Sequence, residues 1–245
     1  MKGRYIGFLL SSLLWVLATE AQGPREVPIP DTDCVYIPLT FIQPEVRARV
    51  ALDPDGRGLE YHYSIKNGPG AEQNIRVIRI QVHTSVSKGT LAGPADWMGN
   101  VKEPRLEYPE GRPYSLWLRS RIVSWAEVSG EGSMEIRPGQ ALGGFKMVAP
   151  GLPSIVTYYA QGVWPGDERF EGLSCASELG AETLQELIES GQLPEYDNPL
   201  YNAVRGETVG PVAAPRVETL EDLVGFVGTL RDLKDRAAAL GWVRS

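Results

Sequence analysis

Few side chains in this 245-residue chain are placed to do chemistry. The chain has two histidines, His62 and His83. Both fall in alternating, strand-like stretches, on the face opposite the apolar residues. If those stretches pair, the imidazoles approach each other and Glu60 becomes a third candidate metal ligand. A catalytic zinc site takes three protein ligands and an open position, normally with closely spaced histidines. There is no H-E-x-x-H or C-x-x-C here, so solvated strand-face histidines are expected, with no metal and no cofactor. Asp53-x-Asp55-Gly56 is a fragment of a calcium loop without the distal Glu, and reads as a turn. No G-x-S-x-G elbow and no glycine-rich phosphate loop occurs. Paired carboxylates for glycoside hydrolysis can come from distant strands, which keeps a hydrolase with an unrecognised site as an alternative. Trp97, Trp117, Trp125, Trp164, Tyr158 and Tyr159 are either sugar-stacking platforms or strand packing. Trp97 is the candidate ligand-binding residue, because its surroundings read as loop. Cys34 and Cys175 form either a disulfide or two separate thiols.

The elements that must position these residues centre on Leu59 to Val82. Leu59, Tyr61, Tyr63 and Ile65 alternate with Glu60, His62 and Ser64, the period of a half-buried strand. Asn67-Gly68-Pro69-Gly70 breaks the run with turn formers. Ile78, Ile80 and Val82 then alternate with Arg79, Gln81 and His83. The pattern predicts a hairpin with one buried face. Ile75 and Val77 are out of phase with Ile78, which places a β-bulge near Val77 or starts the pairing at Ile78.

The same grammar runs along the chain. Val35 to Phe41 alternates around Pro38, which confines that strand to an edge or a bulge. Val46 to Leu52 alternates with Arg47 and Arg49. Residues 84–112 read as a long excursion with at most one short strand. Ser115 to Trp125, Leu142 to Val148 and Ser154 to Val163 are further strands. Seven to eight short strands without intervening helices predict a mainly β protein, an antiparallel immunoglobulin-like β-sandwich over residues 30–167. Residues 168–245 read as a helical C-terminal region, with a short amphipathic patch at Leu184–Ile188 and an irregular stretch from Glu195 to Pro215. A longer helix carries Leu220, Leu223, Val224, Val227 and Leu230 on one face. Thr219 and Asp222 have capping-box spacing.

Residues 1–21 have the form of a signal peptide. Lys2 and Arg4 precede the apolar run Ile6–Leu17, and Thr19-Glu20-Ala21 supplies small residues at the cleavage positions. The apolar run falls short of the ~20 residues that span a bilayer. The expectation is an exported chain (secreted, periplasmic or at the cell surface) whose mature part does not span a membrane. Cleavage would leave 22 basic and 30 acidic residues. That balance repels polyphosphate and argues against a nucleic-acid partner.

Tyr61-His62-Tyr63-Ser64-Ile65-Lys66-Asn67, Ile136-Arg137-Pro138-Gly139, Leu142-Gly143-Gly144-Phe145 and Pro150-Gly151-Leu152-Pro153 resemble a pattern in uncharacterised bacterial secreted proteins. Those proteins carry a Y-x-Y-x-x-x-N strand and a later I-x-P-G-x-x-L-x-G-F segment. The resemblance spans roughly Leu59 to Gly162. It implies the sandwich and export, and brings no functional residues with it. The expected function is a non-catalytic exported sandwich with a structural or protein-interaction role. A carbohydrate-binding module is the alternative, and the partner expected is a protein or a glycan.

Overall fold

Alternation along β4 (Leu59–Asn67) is realised residue by residue: Tyr61, Tyr63, Ile65 and Asn67 are buried, and Ser64 and Lys66 are exposed. The computed structural model describes residues 26–29, 35–104, 121–129, 134–165, 186, 202–213 and 219–239. Among them, β3 (Pro44–Leu52), β4 and β8 (Ala141–Ala149) form a three-stranded antiparallel sheet. A second antiparallel sheet runs in the order β10 (Val204–Val212), β9 (Leu152–Val163), β5 (Asn74–Val82), β7 (Arg121–Glu127) and β6 (Trp97–Lys102). β1 (Val27–Pro28) and β2 (Val35–Tyr36) pair as a small ribbon. The strand stops short of Pro38. Ile37 and Leu39 instead pack with Trp164 and Phe41 in a satellite cluster.

The inner faces of the two sheets share one core, built from Tyr61, Tyr63 and Ile65 on one side and Ile78, Ile80 and Trp125 on the other. The mainly β sandwich with a small C-terminal helix is therefore present, with eight strands in its two sheets among the described residues.

Leu59–Val82 is not a hairpin. β4 pairs with β3 and β8, whereas β5 pairs with β7 and β9. The physical reason is burial. β5 is hidden along nearly its whole length, as befits a strand with a neighbour on each side and a sheet facing it across the core. Its apolar set faces that of β4 across the core instead of lying beside it. The connecting residues bond to the 41–43 segment: Gly68 N donates to Gln43 O at 2.8 Å, and Gln73 N donates to Phe41 O at 3.0 Å. The expected bulge is present, as a register shift between Ile75 and Val77 against β9. A second shift falls opposite Tyr63/Ser64. There Gly144 is the extra residue, at φ +98°, a conformation suited to glycine.

The sandwich does not end at residue 167. β10, inside the region expected to be helical or irregular, pairs with β9 from Val204 to Val212. Its apolar signal is diluted by Gly206, Gly210 and Pro211. Gly206 lies over the Tyr158 ring, where a Cβ would meet Oη at 2.5 Å, and Pro211 is tolerated on an edge strand. β10 also closes one side of the sandwich, because Thr208 Oγ1 donates to Val46 O at 3.1 Å; beside it Tyr158 Oη of β9 donates to Pro44 O at 2.7 Å. On the other side Ala92 pairs with Lys146 of β8. Past β10, α1 (Leu220–Ala239) follows.

Candidate functional site

Trp97, the expected ligand platform, is a core residue, 5% exposed. It begins β6. Its Nε1 donates to Met134 O at 2.9 Å, and its ring meets Phe145 edge-on with centroids 5.0 Å apart. The excursion that contains it supplies a strand, and the strand turns the indole inward. Trp97 therefore offers no face to a sugar. Trp125, Tyr158 and Trp164 are buried as well. Trp117 lies outside the described residues, as do Cys34, Cys175 and residues 1–21.

The two histidines sit on different sheets, so the arrangement with Glu60 does not form. His62 Nε2 lies 3.0 Å from Glu60 Oε2, and Lys146 Nζ lies 2.5 Å from Glu60 Oε1. Lys146 first and His62 second hold the Glu60 carboxyl below its usual range. His83 is exposed at the end of β5, and its backbone N–H donates to Pro211 O. Asp53 caps its own turn. Gly56 N donates to Asp53 O at 3.0 Å, and Arg57 Nε donates to Asp53 Oδ2 at 3.0 Å.

The segments that carry the resemblance meet in space. Asn67, fully buried, donates from Nδ2 to Gln73 O at 2.8 Å and to Ile136 O at 3.0 Å. Its Oδ1 accepts from Gln43 N at 3.0 Å. Gly139 N donates to Asn67 O at 2.9 Å, and Tyr61 Oη donates to Gly151 O at 2.7 Å. These residues satisfy backbone groups that the crossings between sheets would otherwise bury unpaired. They hold the fold together and present nothing to a ligand.

A buried charged cluster occupies one end of the sandwich. The bulge in β5 carries Arg76, whose Nε lies 3.4 Å from Glu127 Oε2 and whose Nη1 lies 3.7 Å from Glu135 Oε1. Asn74 Nδ2 donates to Glu135 Oε2 at 2.9 Å. Ser129 N and Oγ both donate to Glu127 Oε1. Burial raises the Glu135 carboxyl above its ordinary value, against the lowering influence of Asn74 and Arg76. Both carboxylates are buried, Glu127 more completely than Glu135. Sequence reading missed this cluster. Its one signal was the phase slip around Arg76.

α1 carries three of the exposed large apolar side chains, beside Leu52, Met98 and Val128 elsewhere. Thr219 Oγ1 accepts from Asp222 N at 3.1 Å, and Asp222 Oδ2 accepts from Thr219 N at 2.9 Å. This is the reciprocal cap expected from the spacing. Leu220, Val224 and Val227, at i, i+4 and i+7 on one helix face, are 77%, 65% and 58% exposed. No helix among the described residues is long and apolar enough to cross a membrane. No protein-family model matches the chain, and no curated protein is detectably similar to it in sequence.

Proposed function

We propose that the protein is an exported, non-catalytic β-sandwich with a protein-interaction role at the cell surface or in the extracellular space, and that α1 presents the interacting face. The observation that carries this reading is the exposure of Leu220, Val224 and Val227 together on a well-capped helix. A lone helix gains most of its stability by burying an apolar face, so three large apolar side chains left open on a capped helix favour a docking surface. The basic and apolar order of residues 1–21, together with the resemblance of the Leu59–Gly162 segments to secreted proteins, supports export. The burial of Trp97, Trp125, Tyr158 and Trp164 weighs against the carbohydrate-binding alternative, which is left with Tyr159, half-buried on β9, and with Trp117, outside the described residues.

The test is a photo-crosslinking amino acid at Val224 in protein exported by intact cells. A discrete protein adduct is expected. Leu220→Asp combined with Val227→Asp should abolish it while export continues. Absence of any adduct, or an adduct indifferent to the double substitution, would overturn the reading.

A further inference from the structure

We propose that the Arg76–Glu127–Glu135 cluster is a built-in proton-binding site that fastens β5 to the ends of β7 and the 134–136 segment more tightly as the surroundings acidify. This is independent of any role for α1.

The geometry is one guanidinium between two carboxylates, all inside the protein. With both glutamates ionised the cluster carries one surplus negative charge, and a buried surplus charge is costly. Among the described residues, the groups that face Glu135 are Asn74 and Arg76 from β5, Glu127 at the end of β7, and Arg137 on its own segment. Trp97 of β6 pairs with Glu127, and its indole N–H goes to Met134 O. Glu127 Oε1 takes two donors from Ser129, while its Oε2, 3.4 Å from Arg76 Nε, is buried without a hydrogen-bond partner among the described residues. Glu135 takes one neutral donor, from Asn74, and stands 3.7 Å from the guanidinium, beyond hydrogen-bond length. The two carboxylates thus share the surplus charge, and Glu135, with its single donor, is the one on which we place the proton. One proton there makes the cluster neutral and leaves the Arg76–Glu127 pair and the Asn74 hydrogen bond in place.

The sign follows from linkage. Burial, the largest influence on Glu135, raises its folded-state value above that of the unfolded chain. The folded protein holds this proton more tightly, so the stabilisation is full below the unfolded value. It is lost as pH rises through the folded one. Glu60, Asp53 and Glu103, held low by Lys146, Arg57 and Arg121, act in the opposite sense. The cluster is therefore read as a difference between variants.

The experiment is thermal unfolding of the full exported chain and of Glu135→Gln from pH 4.5 to 8. The amide is uncharged and can still accept from Asn74. The variant should melt several degrees above the wild type at pH 8, and the gap should close toward pH 4.5. A gap that is constant, or that widens on acidification, would overturn the proposal. If Glu135→Gln does not fold, the Glu135 carboxyl of the wild type is titrated by carbon NMR. A midpoint above that of the urea-unfolded chain sustains the site, and one at or below it overturns the site.

Discussion

Tyr63 and Tyr61 stand two residues apart on β4 and meet opposite fates. Tyr61 Oη donates to Gly151 O, whereas Tyr63 Oη is buried without a hydrogen-bond partner among the described residues. Burial drives the Tyr63 phenol well above its usual value, so it stays neutral. Removing an unsatisfied buried hydroxyl costs no hydrogen bond and removes a desolvation penalty. Tyr63→Phe should thus leave stability unchanged or raise it by about 1 kcal/mol, read from the urea midpoint at constant m-value. A loss of more than about 1 kcal/mol would mean that the hydroxyl has a partner. Alternation made the direction of both side chains legible in the sequence, since period 2 assigns a face. It carried nothing about which hydroxyl finds an acceptor, because Gly151 lies 90 residues from Tyr61.

Among the elements, the Asn67–Asn74 crossing bears most on the architecture. It carries the chain from one sheet to the other, and Asn67 fastens it to Gln43, Gln73 and Ile136. Asn67→Ala removes three side-chain-to-backbone hydrogen bonds at once, of whose backbone partners Ile136 O still accepts from Ile75 N. We expect it to cost roughly 3 kcal/mol or more, seen as a lower denaturation midpoint with the β-sheet circular dichroism retained below it. A change under about 1 kcal/mol would show that water replaces the amide. Strand existence was largely legible here, and so was the bulge at Ile75–Val77. Sheet membership was not. Turn chemistry at Asn67-Gly68-Pro69-Gly70 looks the same whether the chain folds back beside its strand or crosses the core. Only the near-continuous burial of β5 separates the two. Trp97 escaped for a related reason: glycines and prolines around it announced a loop, and the six-residue strand β6 inside was too short to outweigh them.

For the molecule as a whole, the position of β10 changes what counts as a folding unit. A fragment ending at residue 167 keeps β9 but loses its outer partner and the Thr208–Val46 tie to the other sheet. Residues 26–213 should melt cooperatively, whereas residues 26–167 should aggregate or melt without a sharp transition, as followed by circular dichroism and light scattering. An equally cooperative melt for the shorter fragment would show β10 to be dispensable. The sequence hid this strand because the same glycines that let it lie flat on Tyr158 and Val156 erase its alternation.

That placement also sets an order of events in time. β9 ends at Val163 and β10 begins at Val204, so about forty residues must emerge before the seam can shut. During that interval β9 offers a full-length row of unpaired backbone groups, the kind of template on which nascent chains misassemble. The rate at which this protein reaches its native form should then depend on how quickly the late strand arrives. A holding factor that shields β9 until it does would raise the yield more than any faster collapse of the core.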